Sequence, residues 1–289
     1  MEKILYLAHT DSNGQLPKIA LETLSAALQL MKDLTGSSLT VGLIGENVQS
    51  AADMVAACGA SRILAVSGSD FGMSRYATDV KAAEAIAQAS GATLIVAPAT
   101  SRFARALPGV AFRLKAAIDT HVSGITVNGG TLQIHRWYYR QRMLATLSRT
   151  ARPWVLVVDA GVFPVYSGAK GSAQLETVSV ALTDKEKRTQ MTGIQAPSAD
   201  AQTIRPDADL LFVAGAGWTK KQADGQIHAK DAEQLILGFL KNAKASLGSS
   251  KSLVDQGSEG EQVLSFMSHL NQVGQTGSTP RHPKGLSTC

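Results

Sequence analysis

The sequence predicts an α/β protein whose N-terminal part is a three-layer domain with a mostly parallel sheet. Short apolar runs of strand length alternate along the chain with segments of helical periodicity. Two junctions repeat one pattern, in which a helix ends at Gly59 or Gly91 and an apolar strand follows. Aromatic residues make up only 5% of the chain, so small aliphatic side chains must fill the contacts between helices and sheet. Alternation of this kind indicates βαβ units with parallel strands.

The first hundred residues contain the clearest elements. Proline at position 17 suits the start of a helix, because its fixed φ is already helical. The predicted strands are 4–8, 39–44, 63–66 and 93–97, and the predicted helices are 17–31, 48–57 and 74–89.

The pattern changes after Ala116. Two apolar segments, 121–127 and 131–137, predict a β-hairpin, because Asn128-Gly129 supplies the positive φ of a tight turn. Further strands are predicted at 154–159 and, from partial alternation, at 175–182.

A polar, charged stretch divides the chain. Residues 184–207 contain Pro197 and Pro206 and are predicted to be a linker between a domain at 1–183 and a smaller domain at 208–289. In the smaller domain a buried strand is predicted at 208–214. A helix is predicted at 232–247, with one apolar face made by Leu235, Ile236, Phe239 and Leu240.

Composition and charge exclude several classes of protein. The 289 residues include 28 basic and 23 acidic side chains, a net charge of +5, which suits an anionic ligand without requiring nucleic acid. The two cysteines, Cys58 and Cys289, exclude a disulfide scaffold and indicate a reducing compartment. The first apolar run is too short for a signal peptide, and no apolar stretch approaches the ~20 residues that span a bilayer. We therefore expect a cytoplasmic protein without membrane insertion.

A glycine-rich corner follows the first strand of the smaller domain. Gly215 and Gly217 flank Ala216 at the predicted carboxyl end of that strand. Backbone N–H groups at such a corner suit a phosphate, although a strand-to-loop turn with two glycines is structural more often than not.

The motifs after this corner give it a context. They are Gly248-Ser249-Ser250-Lys251, then Val-Asp-x-Gly at 254–257, then Val-Gly-Gln-Thr-Gly at 273–277. This order resembles the C-terminal FAD domain of the electron transfer flavoprotein alpha-subunit (FixB-like) family. Segments 4–9, 42–45 and 98–108 are similar to the corresponding segments of the first domain of that family.

The resemblance implies a function and a set of site residues. Family members carry FAD in a flavodoxin-like second domain, pair with a beta subunit, and transfer electrons from a dehydrogenase to a membrane or iron–sulfur acceptor. A cation at Lys251, where the family has arginine, would stabilise the negative charge of reduced flavin. Hydroxyl and amide groups at Thr276 and Gln275 would hydrogen-bond the edge of the flavin ring. The cofactor-binding residues that the resemblance implies are Gly215, Gly217, Ser250, Lys251, Val273, Gly274, Gln275 and Thr276.

Two departures from the family pattern keep an alternative open. Ala216 stands where the family has an arginine that contacts the FAD phosphates, so a bidentate clamp is missing, although Lys220 and Lys221 lie close in sequence. Only 12 residues follow Gly277, too few for the family's remaining βαβ unit. We therefore expect an incomplete second domain with an exposed sheet edge. The alternative function is a structural subunit of such a complex that has lost tight FAD binding.

Other features support simpler interpretations. The basic and aromatic run 136–142 could stack on single-stranded nucleic acid, but a partner contact or a half-buried strand is favoured. Arg102, Arg105, Arg113 and Lys115 predict a basic helix face in solvent, or a docking face for an acidic partner.

The remaining motifs bear on chemistry. The six histidines lack metal-ligand spacing, and no nucleophile elbow, Walker motif or HExxH occurs. The resemblance implies an electron carrier rather than an enzyme, because a carrier of this family transforms no substrate of its own. A third hypothesis is a regulatory protein that binds an adenine nucleotide through residues 1–183, because the βαβ order also suits such ligands.

Overall fold

The structure, a computed structural model, describes residues 1–139, 142–193, 204–205, 208–256, 264–268, 271–273 and 284–288. The chain forms two compact units, Met1–Gly193 and Ile194–Cys289, called here the N-terminal and C-terminal units. Each unit has its own sheet and its own hydrophobic core. Within the described parts of the chain, no helix is long and apolar enough to cross a membrane.

The elements of the N-terminal unit follow the predicted order, and the first four strands and the three predicted helices, which correspond to α1, α2 and α4 below, agree with prediction to within two residues at each end. No bounds were predicted for the long helix α5. The strands are β1 Lys3–His9, β2 Ser38–Gly45, β3 Arg62–Ser67, β4 Leu94–Pro98, β5 Ala117–Asn128, β6 Thr131–Tyr138, β7 Met143–Leu147, β8 Trp154–Val158 and β9 Glu176–Thr177. The helices are α1 Lys18–Asp33, α2 Gln49–Val55, α3 Ser69–Gly72, α4 Tyr76–Ser90, α5 Ser101–Leu114 and α6 Asp184–Lys187.

The strands of this unit form one nine-stranded sheet in the order β7-β6-β5-β8-β4-β1-β2-β3-β9. Neighbours are parallel except in the β5–β6 and β6–β7 pairs. Alternate residues of β1 serve two cores, because Ile4 and Tyr6 pack with α1 and α2 whereas Leu5 and Leu7 pack with α4 and α5. The predicted three-layer, mostly parallel arrangement is confirmed.

The predicted hairpin is confirmed with a shifted turn. Asn128 pairs with Thr131, so that Gly129 and Gly130 alone form the turn, with φ of 55° and 76°. Both central positions of this turn need positive φ, which the two glycines adopt without strain. Asn128 therefore belongs to β5 rather than to the turn.

The predicted strand at 175–182 is mostly wrong. Only Glu176–Thr177 pairs with the sheet, alongside Leu64 and Ala65 of β3. Val178, Val180 and Leu182 continue as an irregular segment whose side chains pack against the core under α4 and α5. Apolar alternation here reflects packing onto a helical layer rather than a ladder of backbone hydrogen bonds.

The first residues of the predicted linker are helical. Helix α6 begins after Thr183, whose side chain and backbone form a capping box with Glu186. Glu186 lies 3.4 Å from Lys81 of α4, and Lys187 lies 2.7 Å from Asp70 of α3. These residues therefore pack on the N-terminal unit.

The C-terminal unit is built on a three-stranded parallel sheet with the order β11-β10-β12. This order places the first strand in the middle, as in flavodoxin-like sheets. Its elements are β10 Leu210–Ala214, a 3-10 turn at Ala216–Thr219, α7 Ala229–Ala243, β11 Ser246–Ser249, α8 Lys251–Asp255 and β12 Lys284–Thr288.

The helix predicted at 232–247 extends too far. Helix α7 ends at Ala243, where Lys244 takes the left-handed conformation with φ of 50°, and Leu247 lies in β11. Ile236 and Leu240 are buried as predicted, but Leu235 is 65% exposed and Phe239 is partly exposed. The four apolar residues therefore lie on a wider arc than the buried face of the helix.

Candidate functional site

The carboxyl ends of the three strands in the C-terminal unit meet at one sheet edge, which we call the unit 2 edge. The N–H of Ser250 donates to the carbonyl oxygen of Ala214 at 2.8 Å, and the N–H of Gly215 donates to that of Thr288 at 2.6 Å. Two predicted site residues, Gly215 and Ser250, are therefore brought together directly after β10 and β11. Ligands of open parallel sheets bind beyond this kind of edge.

A fourth segment of chain reaches the same edge. The N–H of Val273 donates to the carbonyl oxygen of Ser249 at 2.9 Å, and Gln272 forms a parallel bridge with Ser249. A Cβ on Gly248 would lie 2.3 Å from Cγ2 of Val273, so only glycine permits this approach. The segment that leads into the Gly-Gln-Thr motif is thus held against β11.

Three predicted site residues, Gly274, Gln275 and Thr276, lie outside the described residues, as do Cys289 and His282. Their roles stay predictions.

The glycine corner folds back on the protein. Gly215 has extended backbone, with φ of −97°, and precedes the 3-10 turn. The indole N–H of Trp218 donates to the hydroxyl oxygen of Thr288 at 2.9 Å, and the carbonyl oxygen of Gly217 accepts from the N–H of Lys220 at 3.2 Å. The expectation of free N–H groups at this corner is wrong for Gly215, because Thr288 already accepts its hydrogen bond.

Ser250 and Lys251 start helix α8. The hydroxyl oxygen of Ser250 accepts a hydrogen bond from the N–H of Leu253 at 3.3 Å, as an N-cap. The Lys251 side chain is 70% exposed, and its Nζ lies 3.9 Å from Oδ2 of Asp255. The ammonium group therefore lies at the surface of the unit 2 edge, and only the carboxylate of Asp255 lies near it among the described residues.

Sequence reasoning did not single out Ser249. Its side chain is completely buried, and its Oγ has no hydrogen-bond partner within the described structure. A buried hydroxyl group without a partner costs about 1–3 kcal/mol. The sequence carried no signal for this, because burial at the end of β11 depends on contacts with the distant segment 271–273.

A cleft of about 350 Å³ lies beside Trp218 and the start of α7, and sequence reasoning did not find it. His228 lines it, with Nε2 at 2.6 Å from Asp224 and Nδ1 at 3.4 Å from Asp231. The hydrogen bond that the His228 ring donates to the Asp224 carboxylate raises the pKa of His228 above its ordinary value. Two carboxylates at a helix start make this cleft unfavourable for a phosphate.

At the corresponding edge of the N-terminal unit, side chains of β1 and of the segment after β4 contact each other. Strands β1 and β4 are neighbours whose connections leave in opposite directions, the position at which such sheets bind ligands. There His9 Nε2 lies 2.8 Å from Oγ1 of Thr100, and its ring packs edge-on against Phe103 at 4.9 Å between centroids. The polar groups at this point satisfy one another.

In the described residues, no cluster of His, Cys, Asp or Glu could hold a metal ion.

A comparison with protein-family models identifies the N-terminal unit. Residues 4–184 match the model described as "Electron transfer flavoprotein domain". The chain belongs to the electron transfer flavoprotein family. The matched region covers β1 to the start of α6.

A curated relative extends this electron transfer flavoprotein assignment over the C-terminal unit. The chain is 26% identical over 271 residues to "Protein FixB" of Clostridium saccharobutylicum, a match that covers 92% of this chain and 75% of that protein. The resemblance to the alpha-subunit (FixB-like) family is therefore confirmed, and the chain is an electron transfer flavoprotein-type subunit.

Within the matched electron transfer flavoprotein domain, the predicted basic helix face is wrong for Arg102. This residue is only 7% exposed, and its guanidinium donates to Oδ1 of Asp79 at 2.6 and 3.0 Å and to the carbonyl oxygen of Phe71 at 2.6 Å. Burial raises the pKa of Asp79 even though Arg102 opposes that shift. Arg105 and Arg113 are about half exposed.

The basic and aromatic run of this electron transfer flavoprotein domain is partly structural. Arg136 donates to Oδ1 of Asp119 at 3.0 Å and lies over the ring of Tyr138 at 4.5 Å. Arg149 and Trp154 also donate to Asp119, at 2.5 and 2.8 Å for the closest contacts. Arg136 therefore helps to neutralise a buried carboxylate, while Arg140 and Gln141 lie outside the described residues.

Proposed function

We propose that this chain is the FAD-carrying alpha-type subunit of an electron transfer flavoprotein. It would pair with a beta-like subunit and carry electrons from a flavin dehydrogenase to a membrane or iron–sulfur acceptor, as an electron carrier rather than an enzyme. The observation that carries this proposal is the convergence of Gly215, Ser250 and Val273 at the unit 2 edge. These residues come from three separate motifs of the sequence, and a shared site explains why all three motifs are present.

The unit 2 edge offers groups that fit a flavin dinucleotide. Ser249 contributes an unpartnered buried hydroxyl, and Gly248 permits the close approach of Val273, which leads into the Gly-Gln-Thr motif. FAD, when bound, supplies the capacity to accept and release electrons. The chain's own residues would bind and orient it, with Gln275 and Thr276 as the predicted contacts of the ring.

Lys251 would set the electrostatics of the site. Its ammonium group has no carboxylate closer than 3.9 Å among the described residues and stands beside the N-cap Ser250. A cation in this position lowers the energy of negative charge on the flavin ring and so favours reduction. Lysine acts as a point charge here and cannot form the bidentate contacts of arginine.

The test is the flavin content of the full chain purified together with its beta-like subunit. We expect a yellow complex with near-stoichiometric flavin absorbance. A colourless complex that stays colourless after incubation with excess FAD would contradict the proposal.

A cofactor-poor structural subunit is the second candidate, and three observations favour it. Ala216 supplies no side chain for a phosphate, and the N–H of Gly215 is already bonded to Thr288. The acidic residues around His228 add unfavourable charge near the same turn. This candidate predicts a stable complex with the beta-like subunit that contains no flavin.

The third hypothesis, regulatory adenine-nucleotide binding by residues 1–183, has less support. His9 and Thr100 hydrogen-bond each other at the point where a nucleotide would bind. Calorimetry of the full chain with ATP and AMP tests it, and we expect no binding at this edge.

A further inference from the structure

The last residue of β11 carries a hydroxyl group whose hydrogen-bonding capacity is unused. Ser249 is completely buried, and its Oγ lacks a partner in the described part of the chain. Ser246, at the other end of the same strand, is equally buried, but its Oγ accepts a hydrogen bond from the N–H of Arg205 at 2.5 Å. Burial of a serine in this strand therefore does not by itself leave the hydroxyl unpaired.

Ser249 lies where the segments of the candidate site meet. Its backbone is paired with Ala214 of β10 through the sheet register, and its carbonyl oxygen accepts from the N–H of Val273 at 2.9 Å. The next residue is Ser250, the N-cap of α8. The backbone of Ser249 thus helps to assemble the unit 2 edge, while its side-chain hydroxyl makes no hydrogen bond to the described residues.

Natural proteins rarely leave a buried hydroxyl group without a partner, because the group loses its hydrogen bonds to water on folding. Alanine would avoid this cost, so the hydroxyl group points to a partner outside the described part of the chain. A ligand held at the unit 2 edge provides such a partner.

We propose that the Ser249 hydroxyl group hydrogen-bonds an uncharged polar group of the FAD at the unit 2 edge and is a further binding residue of that site. The inference rests on the proposed function and adds a residue that the sequence motifs did not indicate. A hydroxyl both donates and accepts, so it suits a ring carbonyl, a ring N–H or a ribityl hydroxyl of the flavin.

The test compares Ser249→Ala with Ser246→Ala in the full chain, using FAD as the probe. For Ser249→Ala without FAD, we expect the melting temperature to rise by about 2–4 °C, because an unpaired buried group is removed. With FAD, we expect the dissociation constant to increase by roughly three- to tenfold, the effect of one lost hydrogen bond.

The control behaves in the opposite way. Ser246→Ala removes a used acceptor, so we expect a lower melting temperature and unchanged FAD affinity. Ser249→Cys fills the position with a slightly larger side chain that hydrogen-bonds only weakly, and we expect it to weaken FAD binding as Ser249→Ala does. This variant separates the loss of a hydrogen bond from the loss of volume.

Each other result is decisive. If the unchanged chain binds FAD and Ser249→Ala binds it equally well, the hydroxyl serves a buried water or nothing, and this proposal alone is overturned. If the unchanged chain binds no FAD at all, the proposed function is overturned, and the role of Ser249 falls with it.

Discussion

His9 Nε2 and Thr100 Oγ1 lie 2.8 Å apart and join the ends of β1 and β4. Nδ1 lies 3.2 Å from the carbonyl oxygen of Thr10, which can only accept, so Nδ1 carries the proton. Nε2 therefore accepts from the Thr100 hydroxyl, whose oxygen accepts from the N–H of Phe103 at 3.2 Å. Burial, together with the nearby Arg102, lowers the pKa of His9 to about 4.

The neutral state of His9 predicts a pH-dependent stability. The unfolded chain takes up a proton near pH 6.5 but the folded chain only near pH 4, so the free energy of unfolding falls as pH decreases through this window. We expect a loss of about 2 kcal/mol between pH 7 and pH 5 relative to His9→Gln. Urea unfolding followed by the fluorescence of tryptophan measures it, and equal pH dependence in both proteins would refute the assignment.

Asp119 predicts a large effect of neutralising a single charge. Burial raises its pKa, but hydrogen bonds from Arg149, Trp154 and Arg136 outweigh burial and lower the pKa. In Asp119→Asn two arginines lose their carboxylate inside the N-terminal unit. We expect the free energy of unfolding to fall by about 3–5 kcal/mol. The matched control is Asp33→Asn at the exposed end of α1, for which we expect a change within about 0.5 kcal/mol.

Gly248 predicts a steric effect that can be reversed. A Cβ at this position would collide with Val273, so Gly248→Ala must displace the segment 271–273 from β11. We expect destabilisation by about 1–3 kcal/mol and weaker FAD binding. Adding Val273→Ala removes the clashing Cγ2 atom, and we expect the double variant to recover most of both losses.

The glycine control for this experiment is Gly238→Ala in α7, where a new Cβ meets nothing within 4 Å. We expect it to raise the stability by about 0.4–1 kcal/mol, because the unfolded chain loses freedom. If Gly248→Ala were as harmless as Gly238→Ala, the close approach of β11 and Val273 would be wrong.

The exposed position of Lys251 predicts that its replacement changes the reduction potential of the bound flavin and leaves the stability of the protein unchanged. Its side chain is exposed and its nearest carboxylate is 3.9 Å away, so Lys251→Gln leaves the melting temperature of the apoprotein unchanged. We expect the potential of the bound flavin to become more negative by on the order of 60 mV, a tenfold change for one electron. Potentiometric titration checks this, with Lys241→Gln, on the exposed side of α7, as the control.

The sequence predicted the fold best where local pattern and tertiary environment agree. Strands β1 to β4 are continuous apolar runs because both faces of a parallel sheet are covered, and the glycines at 59 and 91 end the preceding segments with positive φ. The prediction was wrong where one continuous apolar pattern spans two different elements, the helix α7 and the strand β11. The apolar residues from Leu235 to Leu247 belong to a helix and then to a strand, and only Lys244 in left-handed conformation separates the two.

The candidate site was predictable only in its motifs. Gly215, Ser250 and Val273 were found from the sequence because the family resemblance carries them. Two features could not be found from the sequence. Arg102 is buried because it pairs with Asp79, 23 residues earlier in the chain. The Ser249 hydroxyl is unpaired, and it is buried where the distant residue Gln272 pairs with Ser249 in the folded sheet. Long-range packing decides whether a serine or an arginine is exposed, and no local signal encodes it.

The two-residue strand β9 protects one flank of the large sheet. It covers only Leu64 and Ala65 of the outermost long strand, and the ion pair of Glu176 with Arg62, at 2.6 Å, holds it there. A shortened protein that stops after Val158 would lack β9. Strand β3 would then expose its unpaired backbone N–H and C=O groups beside apolar side chains. Such a fragment would stack on copies of itself, so any attempt to isolate the first half of this molecule should retain the chain through Lys187.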